Sequence, residues 1–137
     1  MVGMKKTSKR KLKSLSWYKI RAWKVFSKWI RARDKNICFT CGGLGNQAGH
    51  FIPRSISNYL YFSEDNVHAQ CLRCNVFLSG NSDEYAERLG NDIVMRLRID
   101  KRKVKQWTVQ ELIKLKEKYE NNASIFTSHG SFIQTES

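Results

Sequence analysis

Acidic residues are scarce in this chain. Its 137 residues carry 12 Asp and Glu against 25 Lys and Arg, a formal net charge of +13. A surface so short of acids points to a polyanionic partner, with nucleic acid ahead of a membrane surface. Long apolar runs are missing too. Stretches such as Ile93, Val94 and Met95 fall far short of the roughly 18 apolar residues of a spanning helix. The basic N-terminus lacks the apolar segment of a secretory signal. Membrane insertion and secretion are therefore disfavoured, and a cytoplasmic location is expected. No internal repeat is visible, and the length fits one domain.

The charge that is present is unevenly placed. Residues 1–35 hold 13 Lys and Arg and one acid, Asp34, whereas residues 36–137 hold 12 and 11. Residues 1–14, with Lys5, Lys6, Lys9, Arg10, Lys11 and Lys13, read as a disordered basic arm, either a plain solvated tail or an arm for nucleic acid. From Leu15 the pattern turns helical. At roughly 100° per residue, Leu15, Tyr18, Ala22, Val25, Phe26, Trp29 and Ile30 share one side of a helix running to about Arg33. Arg21, Lys24, Lys28 and Arg31 share the opposite side. One face can then pack on a core while the other tracks phosphates. The solvated face of an ordinary helix and a membrane-surface helix fit the same pattern.

Four cysteines form two C-x2-C pairs, Cys38/Cys41 and Cys71/Cys74. Zinc explains them well. A two-residue spacing lets both thiolates of a knuckle reach one tetrahedral metal, and two knuckles complete its shell. Such a closed four-sulfur site is structural and leaves no position open for chemistry. Two disulfides, a redox pair or an iron–sulfur site are the alternatives. A disulfide framework suits poorly a chain for which no secretory signal is expected.

Between the knuckles lies Gly49, His50, Phe51, Ile52, Pro53, Arg54 and Ser55; Asn66, Val67, His68, Ala69 and Gln70 lead into Cys71, and Asn75 follows Cys74. This order resembles the HNH endonucleases of the ββα-metal class, with a His-hydrophobic-x-Pro element, an Asn five residues before a C-x2-C, and a metal ligand directly after it. His50, Pro53, Asn66, Cys71, Cys74 and Asn75 occupy those places. Asn75 stands where the final His is usual, as in phage resolvases similar to endonuclease VII. The stretch from Ala22 to Arg31, the segment Ala48 to Phe51, Asn66 to Cys71, and Leu78 to Asn81 narrow the likeness. Together they resemble the NinG (Rap) recombination proteins of lambda-type phages over roughly residues 20–100. The resemblance implies a structure-specific DNA endonuclease acting on branched recombination intermediates, D-loops and Holliday junctions, encoded by a phage or prophage and working in the bacterial host cell.

Phosphodiester hydrolysis needs an activated water, charge relief on the phosphate and support for the leaving oxygen. Imidazole, with an ordinary pKa of about 6.5, suits the first task. The resemblance therefore makes His50 the general base, with Asn66 holding its orientation and Pro53 stiffening the loop. It implies Mg²⁺ or Mn²⁺ as the Lewis acid, with Asn75 as the ligand candidate and the zinc cluster as a brace. Arg54 and Arg73 are placed to contact phosphate. His68 is expected to support the site or touch DNA. Asn66 as a turn cap and Asn75 as a helix cap are the plainer alternatives. One departure stands out: many HNH nucleases carry a metal-binding Asp directly before the catalytic His, and here that residue is Gly49. The acid implied by the family falls near Gln47. Asp65, Asp83 or Glu84 could supply an oxygen, and His50 could itself be a ligand.

The expected fold is small α+β and mostly helical, built on a zinc-stapled ββα unit over residues 15–120. Two strands or extended segments are expected at 47–52 and 59–69, with a short helix after Cys74. Asn81 or Ser82 should cap a helix through Leu89, stopped by a left-handed Gly90, and another helix should run over 91–101. Thr108 and Glu111 make a capping box for a helix to about Tyr119. Residues 121–137 read as a disordered tail. Arg96, Arg98, Lys101, Arg102, Lys103 and Lys105 form a second basic run suited to a DNA arm. A homodimer is one expected state, because resolving a four-way junction takes two cuts. Competing functions are a non-catalytic zinc module that binds branched or single-stranded DNA, and an RNA-binding zinc protein.

Overall fold

The computed structural model describes residues 12–128, with side chains through Asn122. The order is α1 (Leu15–Arg33), β1 (Gln47–His50), β2 (Val67–Gln70), a π-helical turn (Arg73–Phe77), α2 (Ser82–Leu89), α3 (Asn91–Asp100) and α4 (Val109–Ser128). The fold is the expected one, a mostly helical domain around a two-stranded antiparallel sheet.

Helix α1 opens where the apolar period begins. The Ser14 hydroxyl accepts from Trp17 N at 3.2 Å, which satisfies one of the free amides of the first turn. Ala22, Phe26, Trp29 and Ile30 are buried, and with Phe62, Val67, Leu112 and Tyr119 they form one core beneath α4. Phe26 meets Phe62 and Tyr119 edge-on, with ring centroids 5.6 and 4.8 Å apart. Leu15, expected on the buried side, is 46% exposed, because it lies in the first turn beyond the reach of α4's packing. A second core joins Phe51, Ile52 and Leu60 to Tyr85, Leu89, Val94 and Leu97 of α2 and α3. At the far end of α1, Arg33 donates to the carbonyls of Glu64 and Val67, each at 2.8 Å, while Asp34 accepts from Ala69 N at 2.8 Å. These bonds tie the helix to β2.

The strands are shorter than expected, and Asn66 is the reason. Its buried amide accepts from Ile52 N at 2.8 Å and donates to the carbonyls of Ile52 and Leu60 at 3.0 and 3.2 Å. Those backbone groups would otherwise have extended the ladder, so 51–66 folds as turns instead. Pro53 starts them, its carbonyl accepting from Ile56 N at 2.9 Å. The register pairs Gly49 with His68 and His50 with Val67.

Two helix ends differ from expectation, the start of α2 and the end of α4. Asn81 does occupy the N-cap of α2, but with φ 51° and ψ 54° it makes no side-chain cap bond. Its amide reaches Cys74 Sγ instead, at 3.6 Å. Gly90 does stop α2 at a positive φ of 89°, which glycine tolerates, with ψ 157° so that α3 starts at once. The Thr108–Glu111 box forms in both directions, but α4 runs on to Ser128. Residues 121–128 of the expected tail are therefore helical; 129–137, like residues 1–11 of the expected arm, lie outside the described residues.

Truncating Phe26 to Ala is expected to cost about 3–5 kcal/mol in denaturant unfolding of the zinc-loaded chain, and Leu15→Ala less than about 0.5 kcal/mol. Equal losses would contradict this assignment of the core.

Candidate metal centre and nucleic-acid cleft

The two knuckles converge. The sulfurs of Cys38, Cys41, Cys71 and Cys74 all lie within 4.8 Å of one another, with Cys41 and Cys71 at 3.6 Å. Tetrahedral zinc, with Zn–S near 2.3 Å, sets its sulfurs about 3.8 Å apart, so the donor set and spacing fit a structural zinc. Each sulfur also has an outer partner. Cys38 meets the Thr40 hydroxyl at 3.3 Å, and Cys41 accepts from Gly43 N at 3.4 Å. Cys71 accepts from Cys74 N at 3.4 Å, and Cys74 takes the Asn81 amide. Such bonds orient thiolates for a metal. The thiols are forced apart in acidity. Burial raises Cys38, but the Thr40 hydroxyl and nearby backbone amides bring it down to about 6. For Cys41 the Gly43 amide pulls down, yet the Cys38 and Cys71 sulfurs and burial push it up to about 12. Four sulfurs this close require a cation before all can ionise.

Beside this centre lies a cleft of about 480 Å³ between α1 and β1. Trp23, Ser27, Arg31, Asn46, Gln47, Ala48, His50, Arg54 and Asn75 line it. His50 is largely buried, stacked on Trp23 with centroids 5.0 Å apart and planes 19° from parallel. Its Nε2 lies 2.9 Å from the carbonyl oxygen of Tyr61. A carbonyl only accepts, so in the neutral ring Nε2 carries the proton and Nδ1 keeps its lone pair. Burial pulls the His50 pKa down to about 4; the Tyr61 carbonyl opposes this and the Arg54 charge adds to it. The ring is thus neutral, and able to accept a proton, at physiological pH.

Of the expected site residues, His50, Asn75, Arg31 and Arg54 meet in this cleft. Asn66 does not orient the imidazole: its side-chain bonds run to Ile52 and Leu60, and the Tyr61 carbonyl holds the ring. Asn66 acts one step back, by folding the loop that presents Tyr61. Asn75 Nδ2 donates to Gln47 Oε1 at 2.8 Å. Arg21 lies over the Trp17 ring at 4.0 Å and lines a different groove, between α1 and α4. Lys24, Lys28 and Arg73 are exposed. His68 faces the core, stacked on Phe39 at 3.9 Å with Nδ1 3.2 Å from the Tyr85 hydroxyl.

A resident magnesium or manganese fits this cleft poorly. Its lining residues include no carboxylate; their polar groups are the amides of Asn46, Gln47 and Asn75, the Ser27 hydroxyl, the Trp23 indole, the imidazole and two guanidinium groups, whereas these hard cations are usually held by carboxylates. Gly49 cannot simply be read as a lost Asp. A Cβ there would fall 1.9 Å from Gln70 Oε1 and 2.7 Å from Asn75 Oδ1. Gln70 is fully buried and fixed by donating to Thr40 Oγ1 and the Gly80 carbonyl. Trp23 and Tyr61 are site residues that the HNH motif did not mark, and Gln47, near which the family's acid was expected, enters the site as a neutral amide. The spacing of Trp23, Ser27 and Arg31, four residues apart each time, was the available signal for a shared helix face.

A sequence profile described as Bacteriophage Lambda NinG protein matches residues 3–126. The chain belongs to the lambda NinG family. Proteins named Protein ninG from Escherichia phage 933W and Salmonella phage P22 are each 32% identical over 123 residues, covering 84% of this chain and 61% and 60% of theirs. The one from Escherichia phage lambda is 31% identical over the same length, with 84% and 60% covered. The chain thus spans about 60% of the length of these NinG relatives. No solved structure matches. Among the described residues, no helix is long and apolar enough to cross a membrane.

Metal analysis is expected to give one zinc per chain, and Cys38→Ser to abolish its retention. Two disulfides with no metal would contradict the centre. For the cleft, the His50 ring signals should titrate near pH 4 by NMR, and Arg54→Ala should move the midpoint upward. A midpoint near 6.5 would contradict the burial assigned to this ring.

Proposed function

We propose that this NinG-family chain is a structure-specific DNA endonuclease that hydrolyses phosphodiester bonds in branched recombination intermediates, with His50 as general base. The observation that carries this reading is the His50 ring itself. It sits in an open polar cleft, neutral, with Nε2–H committed to a carbonyl and Nδ1 free, among the guanidinium groups of Arg31 and Arg54. A phosphodiester entering there meets positive charge on both sides. His50 Nδ1 takes a proton from water, and the oxygen attacks phosphorus. Across the whole reaction one water adds to the P–O bond: its hydroxyl goes to phosphorus, and the leaving oxygen is protonated from solvent in the open cleft. The bound phosphate's negative charge opposes the effect of Arg54, raising the proton affinity of His50 as substrate arrives. Arg31 and Arg54 offset charge developing on the phosphoryl oxygens. No step is drawn through magnesium or manganese, because the side chains lining the cleft offer such an ion only neutral oxygens and an imidazole.

The exposed basic residues of α1, Lys24 and Lys28, extend the positive surface away from the cleft. Branched DNA as substrate comes from the family resemblance. The missing carboxylate favours one second reading, a DNA-binding module without turnover, in which the same cleft grips a phosphate but does not cut.

Linear duplex, D-loop and four-way DNA, incubated with the zinc-loaded chain with and without Mg²⁺ or Mn²⁺, separate the two. Cleavage of branched substrates that falls about 10²-fold or more in His50→Ala supports the nuclease. Salt-sensitive binding with no cleavage of any substrate supports the module. Binding that ignores salt would contradict both, since phosphate contacts release counterions.

A further inference from the structure

Cations in this chain divide into two sets. Half of those on α2, α3, α4 and the linker before α4 are matched with acids: Arg88 with Glu84, Arg96 with Asp65, Lys103 with Asp100, Lys105 with Glu111, and Lys116 with Glu120. Lys19, on α1, and Arg54, on the turn after β1, have no ion pair among the described residues. They nonetheless converge on one ring. Lys19 Nζ lies 4.2 Å from the Tyr61 centroid and Arg54 Cζ 5.8 Å from it. Two hydrogen bonds fix them in place: Lys19 Nζ donates to Asn58 Oδ1 at 2.6 Å, and Arg54 Nη1 donates to the Tyr61 hydroxyl at 3.2 Å. The cost is visible in Lys19, whose pKa is lowered first by burial and then by the Arg54 charge. The ring's negative face offsets part of that repulsion. An anion between the two cations would offset the rest.

We propose that Lys19 and Arg54, held against the Tyr61 ring, form a two-cation seat for one phosphate of a nucleic-acid strand beside His50. The proposal deepens the nucleic-acid reading of the cleft and rests on it. Tyr61 is then a positioning residue in two senses. Its carbonyl fixes the His50 proton, and its side chain assembles the seat, so the base and a strand phosphate are located by one residue. A phosphate held there, next to the one that faces His50, sets which bond of the strand lies over Nδ1.

The test is the salt dependence of binding of fluorescent four-way DNA to the full zinc-loaded chain. Lys19→Met, which removes the seat cation that does not line the His50 cleft, should lower the slope of log K against log salt by about 0.9, the loss of one phosphate contact. Lys19→Arg should keep the slope, and Arg88→Met, which removes an ion-paired cation on α2, should leave it unchanged. Circular dichroism and zinc content check that each variant is folded. Lys19→Met with the wild-type slope overturns the seat while leaving the nucleic-acid reading intact. Wild-type chain that binds no DNA overturns that reading. The seat is then decided by titrating inorganic phosphate against the Lys19 Nζ and Arg54 Nε signals: saturable shifts at both sustain it, and their absence overturns it.

Discussion

Four sulfur atoms drawn to one point are the constraint on which the rest of this structure depends. Two four-residue strands are too small a sheet to persist alone in water. The first knuckle precedes β1 and the second follows β2, so a metal held by both would close the end of the pair where Gln47 lies opposite Gln70. The influence reaches further through hydrogen bonds. Cys38 meets the Thr40 hydroxyl, Thr40 accepts from Gln70, and Gln70 also donates to the Gly80 carbonyl. Gln70 Oε1 lies against Gly49, whose carbonyl accepts from the buried Tyr85 hydroxyl at 2.7 Å. The next residue is His50. The cleft therefore takes its shape from a cysteine cluster that is not among its lining residues.

Charge is organised around the same wall. Most of the excess lies near the N-terminus, and α1 carries Lys24, Lys28 and Arg31 without ion pairs among the described residues. Because Trp23 and Arg31 belong to that helix, the basic surface and one side of the cleft are a single element. The second basic run, near 96–105, is a different case. Arg96, Lys103 and Lys105 are each matched by an acid, so it presents less free charge than its sequence implies. The α1 face thus keeps its cations uncompensated beside the cleft, while in the second run Arg98, Lys101 and Arg102 remain without ion pairs among the described residues.

The sequence made some of this legible and hid the rest for physical reasons. Helix α1 and its core face could be read because a period of 3.6 residues reports burial directly. The cysteine cluster could be read because ligand spacing is set by metal geometry. The strand ends could not, because an Asn side chain competed with the ladder for the backbone of Ile52 and Leu60. Asn81 was legible as a cap position, but a sulfur took its amide. The partner of His50 was invisible as well: it is a main-chain carbonyl, and any residue could have stood at position 61 and supplied it. The side chain of Tyr61, by contrast, meets His50, Arg54 and Lys19 only because the turns of 51–66 bring it there.

The central claim is that a nucleic-acid phosphate comes to rest in the cleft against His50. The most direct measurement is a chemical-shift map of the isotope-labelled, zinc-loaded chain with an unlabelled four-way DNA junction. The account predicts that the largest changes fall on Trp23, Arg31, His50 and Arg54, with Arg96, Lys103 and Lys105 little moved. Changes centred on the 96–105 run, with the His50 and Trp23 signals undisturbed, would contradict it.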